Sequence, residues 1–75
     1  MTMDEQNVML QRAEDGISAV LDQGPPRESR DLIDSVKGQG IDEYFVRAAL
    51  LFLLDAGRVF LDDSYRFRLR SEVSV

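Results

Sequence analysis

The stretch Val46-Arg47-Ala48-Ala49-Leu50-Leu51-Phe52-Leu53-Leu54-Asp55-Ala56-Gly57-Arg58-Val59 decides the fold. Up to Ala56 it places Val46, Ala49, Leu50, Leu53 and Leu54 at three- and four-residue steps, which predicts one helical core stripe. Leu51 and Phe52 carry the apolar surface past that stripe, with Tyr44 and Ala48 on the same far side. A helix apolar most of the way round is expected to be covered on more than one side. Gly57 supplies a left-handed cap, and the apolar period then changes from 3.6 to 2. An apolar helix, predicted over 43–56, therefore runs straight into a strand.

Upstream, Ile41-Asp42 opens this helix, with Asp42 as N-cap and Ile41 set to staple against a residue one turn on. Gly38-Gln39-Gly40 breaks the chain before it. A second, shorter helix is predicted over 27–37, with Leu32, Ile33 and Val36 as its buried edge. Its wet edge is Arg27, Glu28, Arg30, Asp31 and Asp34, and Pro26 suits its first turn. A first helix is predicted over 4–23, where Leu10, Ala13, Ile17, Val20 and Leu21 share one stripe. Asp4 and Glu5 suit the positive end of its dipole. Gly16 lies inside this helix, where it costs about 1 kcal/mol relative to alanine and so points to a close packing contact. Gly24-Pro25-Pro26 ends it.

Downstream, Arg58–Leu61 and Tyr65–Arg70 read as two strands around Asp62-Asp63-Ser64, a hairpin over 58–70. A three-residue loop sets Leu61 opposite Tyr65 and Val59 opposite Phe67. That register puts Val59, Leu61, Tyr65, Phe67 and Leu69 on one face. It also sets Arg58 across from Arg68, and Phe60 across from Arg66. Residues 71–75 are expected to form a frayed tail. The fold class is thus mainly α with a C-terminal β-hairpin, in one domain over 1–75.

This order of elements resembles the winged helix-turn-helix superfamily, on Val46, Ala49-Leu50, Leu53, Gly57 and Val59 and across nearly the whole chain. The resemblance implies that the third helix is a recognition helix and that the hairpin, the wing, follows a nucleic-acid backbone. A reading helix normally offers Arg, Lys, Asn, Gln or Ser/Thr to base edges. This one offers Asp42, Glu43, Tyr44, Arg47, Ala48, Leu51, Phe52 and Asp55, with Arg47 its only base.

Composition narrows the function classes. A chain of 75 residues leaves a thin stability margin, and with no cysteine and no histidine it has neither disulfides nor the usual metal ligands. Only carboxylates remain as metal ligands, so self-association or docking on another protein is expected more than for an average domain. Residues 1–43 carry ten acids against four bases, and residues 44–75 carry four acids against five bases, for a net charge of −5. An acidic chain is not built as a general nucleic-acid binder, although its C-terminal end is locally basic. Met1–Asn7 has neither the basic nor the apolar region of a signal peptide. The longest apolar run, Ala48–Leu54, is far shorter than the ~20 residues of a membrane span. Absence of cysteine fits a reducing compartment, so a cytoplasmic location is expected.

Two candidate sites emerge. Arg58, Arg66, Arg68 and Arg70 alternate along the wing and are expected to contact an acidic partner or a phosphate backbone. The bland reading is pairing with acids of the same chain, or solvation of a charge-protected edge. Tyr44, Arg47, Ala48, Leu51 and Phe52 are the candidate interface for a dimer or a protein partner. Taken singly, Leu51 and Phe52 are expected to pack beneath the wing or against the first helix. No catalytic residue, cofactor or metal site is expected. Asp62-Asp63, Glu14-Asp15 and Asp42-Glu43 are sequence neighbours that do not converge, and Gly38-Gln39-Gly40 follows no strand. The leading expectation is a non-catalytic interaction module; the alternative is a small DNA-binding regulator gripping phosphates with its wing.

Overall fold

The computed structural model describes residues 3–70; the expected tail lies outside them. In chain order the elements are α1 (Met3–Gln23), α2 (Ser29–Lys37), α3 (Glu43–Asp55), β1 (Val59–Leu61) and β2 (Phe67–Leu69). β1 and β2 pair antiparallel, so three helices precede a two-stranded wing in a winged-helix-like layout.

Each helix forms where the apolar spacing demands it. Ala13, Ile17 and Leu21 of α1 are buried, with Leu10 and Val20 half-buried beside them. A Cβ on Gly16 would stand 3.0 Å from Gln39 Oε1 and 3.1 Å from Val36 Cγ1, so the missing side chain lets α2 and the turn after it approach α1. α2 buries Leu32, Ile33 and Val36. The Asp42 carboxylate caps α3 by accepting the Tyr44 N–H at 2.8 Å. At the other end Gly57 takes φ +76°, and the N–H groups of Gly57 and Arg58 reach the carbonyls of Leu54 and Leu53 at 3.1 and 3.0 Å. That pair of bonds is a Schellman cap. α3 packs chiefly against α1, and its buried side chains are Phe45, Val46, Ala49, Leu50 and Leu53. Full burial of a residue such as Ile17, Val46 or Leu53 contributes about 1.5–3 kcal/mol. Phe45 joins this core although the stripe was read without it, whereas Leu54 is only half-buried.

Three expectations are corrected. α2 begins at Ser29, and Arg27 is not helical. Arg27 instead makes an antiparallel bridge with Phe67: its N–H donates to the Phe67 carbonyl at 3.3 Å, and the Phe67 N–H donates to the Arg27 carbonyl at 2.7 Å. The two prolines favour extended backbone ahead of Arg27, which delivers it to the sheet. Nor is its side chain on a wet edge. It is half-buried, with Nη1 donating to Ser35 Oγ at 3.0 Å.

The hairpin register is the second correction. Val59 faces Leu69, Phe60 faces Arg68 and Leu61 faces Phe67, so five residues, Asp62 to Arg66, form the loop. Asp62 builds that loop: its Oδ1 accepts the N–H groups of Ser64 (2.8 Å) and Arg66 (3.0 Å), and its own N–H donates to the Arg66 carbonyl. Tyr65 takes φ +60° there and is 77% exposed, so it leaves the apolar face. The register moved by two residues, which preserves the faces because side chains alternate with period 2. Val59 and Phe67 are buried as expected. The third correction, α3 ending at Asp55 with Ala56 as C-cap, is a shift of one residue.

Phe67→Ala is expected to cost about 3–5 kcal/mol, most of the stability of a domain this small. Gly57→Ala should cost about 1–2 kcal/mol, because an L side chain is strained at its φ. Urea unfolding of the two variants measures both.

Candidate functional site: the outer faces of α3 and the wing

α3 packs against α1, α2 and β1, and the stripe that none of them covers is largely apolar. Tyr44, Leu51 and Phe52 are 71%, 68% and 61% exposed, and Ala48 lies half-buried among them at helical spacing. This corrects the expectation that Leu51 and Phe52 pack beneath the wing or against α1. The space beside α1 is already filled by Phe45, Val46, Ala49, Leu50 and Leu53. The Tyr44 ring stands edge-on to Phe45, centroids 5.2 Å apart, and is otherwise largely exposed.

Arg47 is on this surface but is not a free cation. Its Nε donates to Glu43 Oε2 at 2.7 Å, and Lys37 Nζ donates to Glu43 Oε1 at 3.0 Å. The Lys37 and then the Arg47 hydrogen bond hold the Glu43 carboxyl below the usual carboxylate range, and Glu43 raises the Lys37 ammonium in turn. All three groups are solvent-exposed enough that the triad adds little stability; it matters as local neutralisation.

The wing gathers some of its arginines and separates others. Arg58, Phe60, Arg68 and Arg70 share the outer face, with Phe60 across from Arg68 and the Arg70 N–H bonded to the Arg58 carbonyl at 2.8 Å. Arg58 therefore faces Arg70, not Arg68. Arg70 lies over the Phe60 ring at 5.9 Å, a cation–π contact. Arg68 Nε is bound to Asp62 Oδ2 at 2.7 Å. Arg66 is outside this group: it sits in the loop and lines a small cleft with Glu28 and Asp31 at the start of α2. The structure thus brings Arg58, Arg68 and Arg70 together and pairs one of them internally.

Asp62 is the residue that sequence reading left unassigned beyond turn chemistry. The Arg68 hydrogen bond, followed by the Arg66 and Ser64 amides, holds its carboxyl below the usual range. An Asp two residues before a Ser, with the strand period breaking between them, is the signal that pointed to it. Val8, 57% exposed near Asp4 and Glu5 on α1, was also missed; it stands outside the apolar stripe of that helix. Among the described residues no three acidic side chains converge on a point able to hold a metal ion, and no helix is long and apolar enough to cross a membrane. No protein-family model, curated protein or solved structure matches the chain.

Since Asp62 is stabilised as the anion in the folded state, its contribution is present above the unfolded carboxylate pKa. That contribution is lost as pH falls through the lowered folded value. Between about pH 5 and pH 2 the Ser64 and Arg66 amide resonances should titrate together, and Asp62→Ala should abolish that titration. Phe52→Glu should change unfolding free energy by no more than about 0.5 kcal/mol in dilute solution, because the side chain lies outside the core. A loss of about 2 kcal/mol or more would place Phe52 in the fold instead.

Proposed function

We propose that this chain is a non-catalytic protein-interaction module that works in the cytoplasm. It docks on another polypeptide, or on its own copy, through the outer face of α3, while the wing arginines contact acidic groups of a partner. The observation that carries this reading is the exposure of Tyr44, Leu51 and Phe52 on a single helix face. Aromatic and large aliphatic side chains grouped this way are the anchors of protein interfaces. Leaving them in water forgoes about 25 cal/mol for each Å² of apolar surface that a partner would cover.

The layout leads to a winged helix-turn-helix reading of the chain, in which α3 would be the helix presented to the major groove. Its chemistry supports a protein partner instead. Asp42, Glu43 and Asp55 are anionic, and Arg47 is already engaged by Glu43. Phosphate binding depends on uncommitted cations.

A DNA-binding regulator is the second reading, favoured by one observation: Arg58 and Arg70 stand on the same face of the wing with no carboxylate partner among the described residues. Titration of labelled duplex DNA at low and moderate salt separates the two. Binding weaker than about 1 mM at low salt is expected. Tight binding that strengthens as salt falls, and disappears in the Arg58→Ala plus Arg70→Ala variant, would make the protein a DNA-binding regulator.

A further inference from the structure

We infer that the occupant of the α3 face is a second copy of this chain, its α3 laid antiparallel about a two-fold axis that runs between the two helices, level with the step from Ala49 to Leu50. The inference rests on the reading of that face as a docking surface and names its partner.

Tyr44, Ala48, Leu51 and Asp55 follow one another at steps of four, three and four residues, the spacing of a seam between two paired helices. An isologous dimer needs a self-complementary seam, in which each contact occurs twice. Antiparallel pairing about this axis provides one. Ala48 meets Leu51 of the second copy, small against large, so the helices approach closely. Tyr44 meets Asp55 of the second copy, and its hydroxyl donates to that carboxylate. Asp55 is exposed and has no cation among the described residues to compete for it.

Parallel pairing about the same seam would instead set Asp55 on Asp55 and Ala48 on Ala48, a like-charge contact and a gap. Phe52 flanks the seam and shields it from water. Covering Tyr44, Leu51 and Phe52 with their surroundings buries on the order of 500 Å² per copy. The total of about 1,000 Å² lies at the lower limit for a specific interface, so the dimer is a weak, concentration-dependent one. The same contact adds apolar burial to a chain that has neither disulfide nor histidine to strengthen it.

Sedimentation equilibrium from about 10 μM to 1 mM tests this for the wild type and three variants. The wild-type mass should climb from 8.5 kDa towards twice that value, and Phe52→Glu should remain at the monomer mass. Tyr44→Lys should dimerise within about threefold of wild type because the new ammonium meets Asp55, whereas Tyr44→Glu should weaken the dimer about tenfold or more. Equal weakening by Lys and Glu at position 44 overturns the antiparallel arrangement. A wild type that stays monomeric throughout, with Phe52→Glu unfolding at the wild-type midpoint, overturns the second copy as partner but leaves the face free for another protein. Loss of the fold in Phe52→Glu overturns the docking surface itself.

Discussion

Phe67 ties the two halves of the molecule together. Its side chain is buried in the common core, its backbone exchanges both hydrogen bonds with Arg27, and its Cα partner in the hairpin is Leu61. β2 is consequently the middle strand, with the linker between α1 and α2 on one side and β1 on the other. A two-stranded hairpin alone is marginal in water, so its position depends on this third line of pairing and on the apolar face beneath it. Phe67 thus joins Val59 in fixing the wing against the helices, while the ladder and the Asp62 loop fix its arginines relative to one another.

That anchorage separates the inner and outer surfaces of the wing. Val59 and Phe67 go inward on the face that alternation gives them, whereas Leu61, on the same face at the loop end of the hairpin, is 47% exposed. Arg58, Phe60, Arg68 and Arg70 go outward by the same rule. Asp62 then moderates the charge that results, since it closes the loop through two amides and binds Arg68. On α3 the equivalent moderator is Glu43, which holds Lys37 and Arg47. Both carboxylates leave the surface less basic than a count of arginines suggests, and what stands uncovered on α3 is apolar. An apolar helix face together with a partly neutralised wing is what the proposed protein-docking role rests on.

Much of this was legible in the chain itself. The helices follow from spacing, the Asp42 and Gly57 caps from residue type, and the close approach at Gly16 from a glycine inside an apolar stripe. The faces of the wing also survive, because a register error of two residues leaves alternation intact. The loop length did not: a three-residue and a five-residue loop satisfy the same pattern, and the ladder bonds together with the amide bonds to Asp62 distinguish them. Arg27 was unreadable for a related reason. Its backbone partner, Phe67, is forty positions away, and nothing local to Pro25-Pro26-Arg27 reveals it.

The sequence by itself determined the order and type of the elements, the identity of most core residues and the absence of cysteine and histidine chemistry. These depend on periodicity, capping and composition, all of which are local properties. Tertiary structure decided which apolar residues of α3 were left over. Helix periodicity marks Leu51 and Phe52 as apolar without saying whether anything lies opposite them. That is settled by how much of α3 the other helices and the wing can cover in so short a chain. They cover one side, and the outer stripe of Tyr44, Leu51 and Phe52 remains in water.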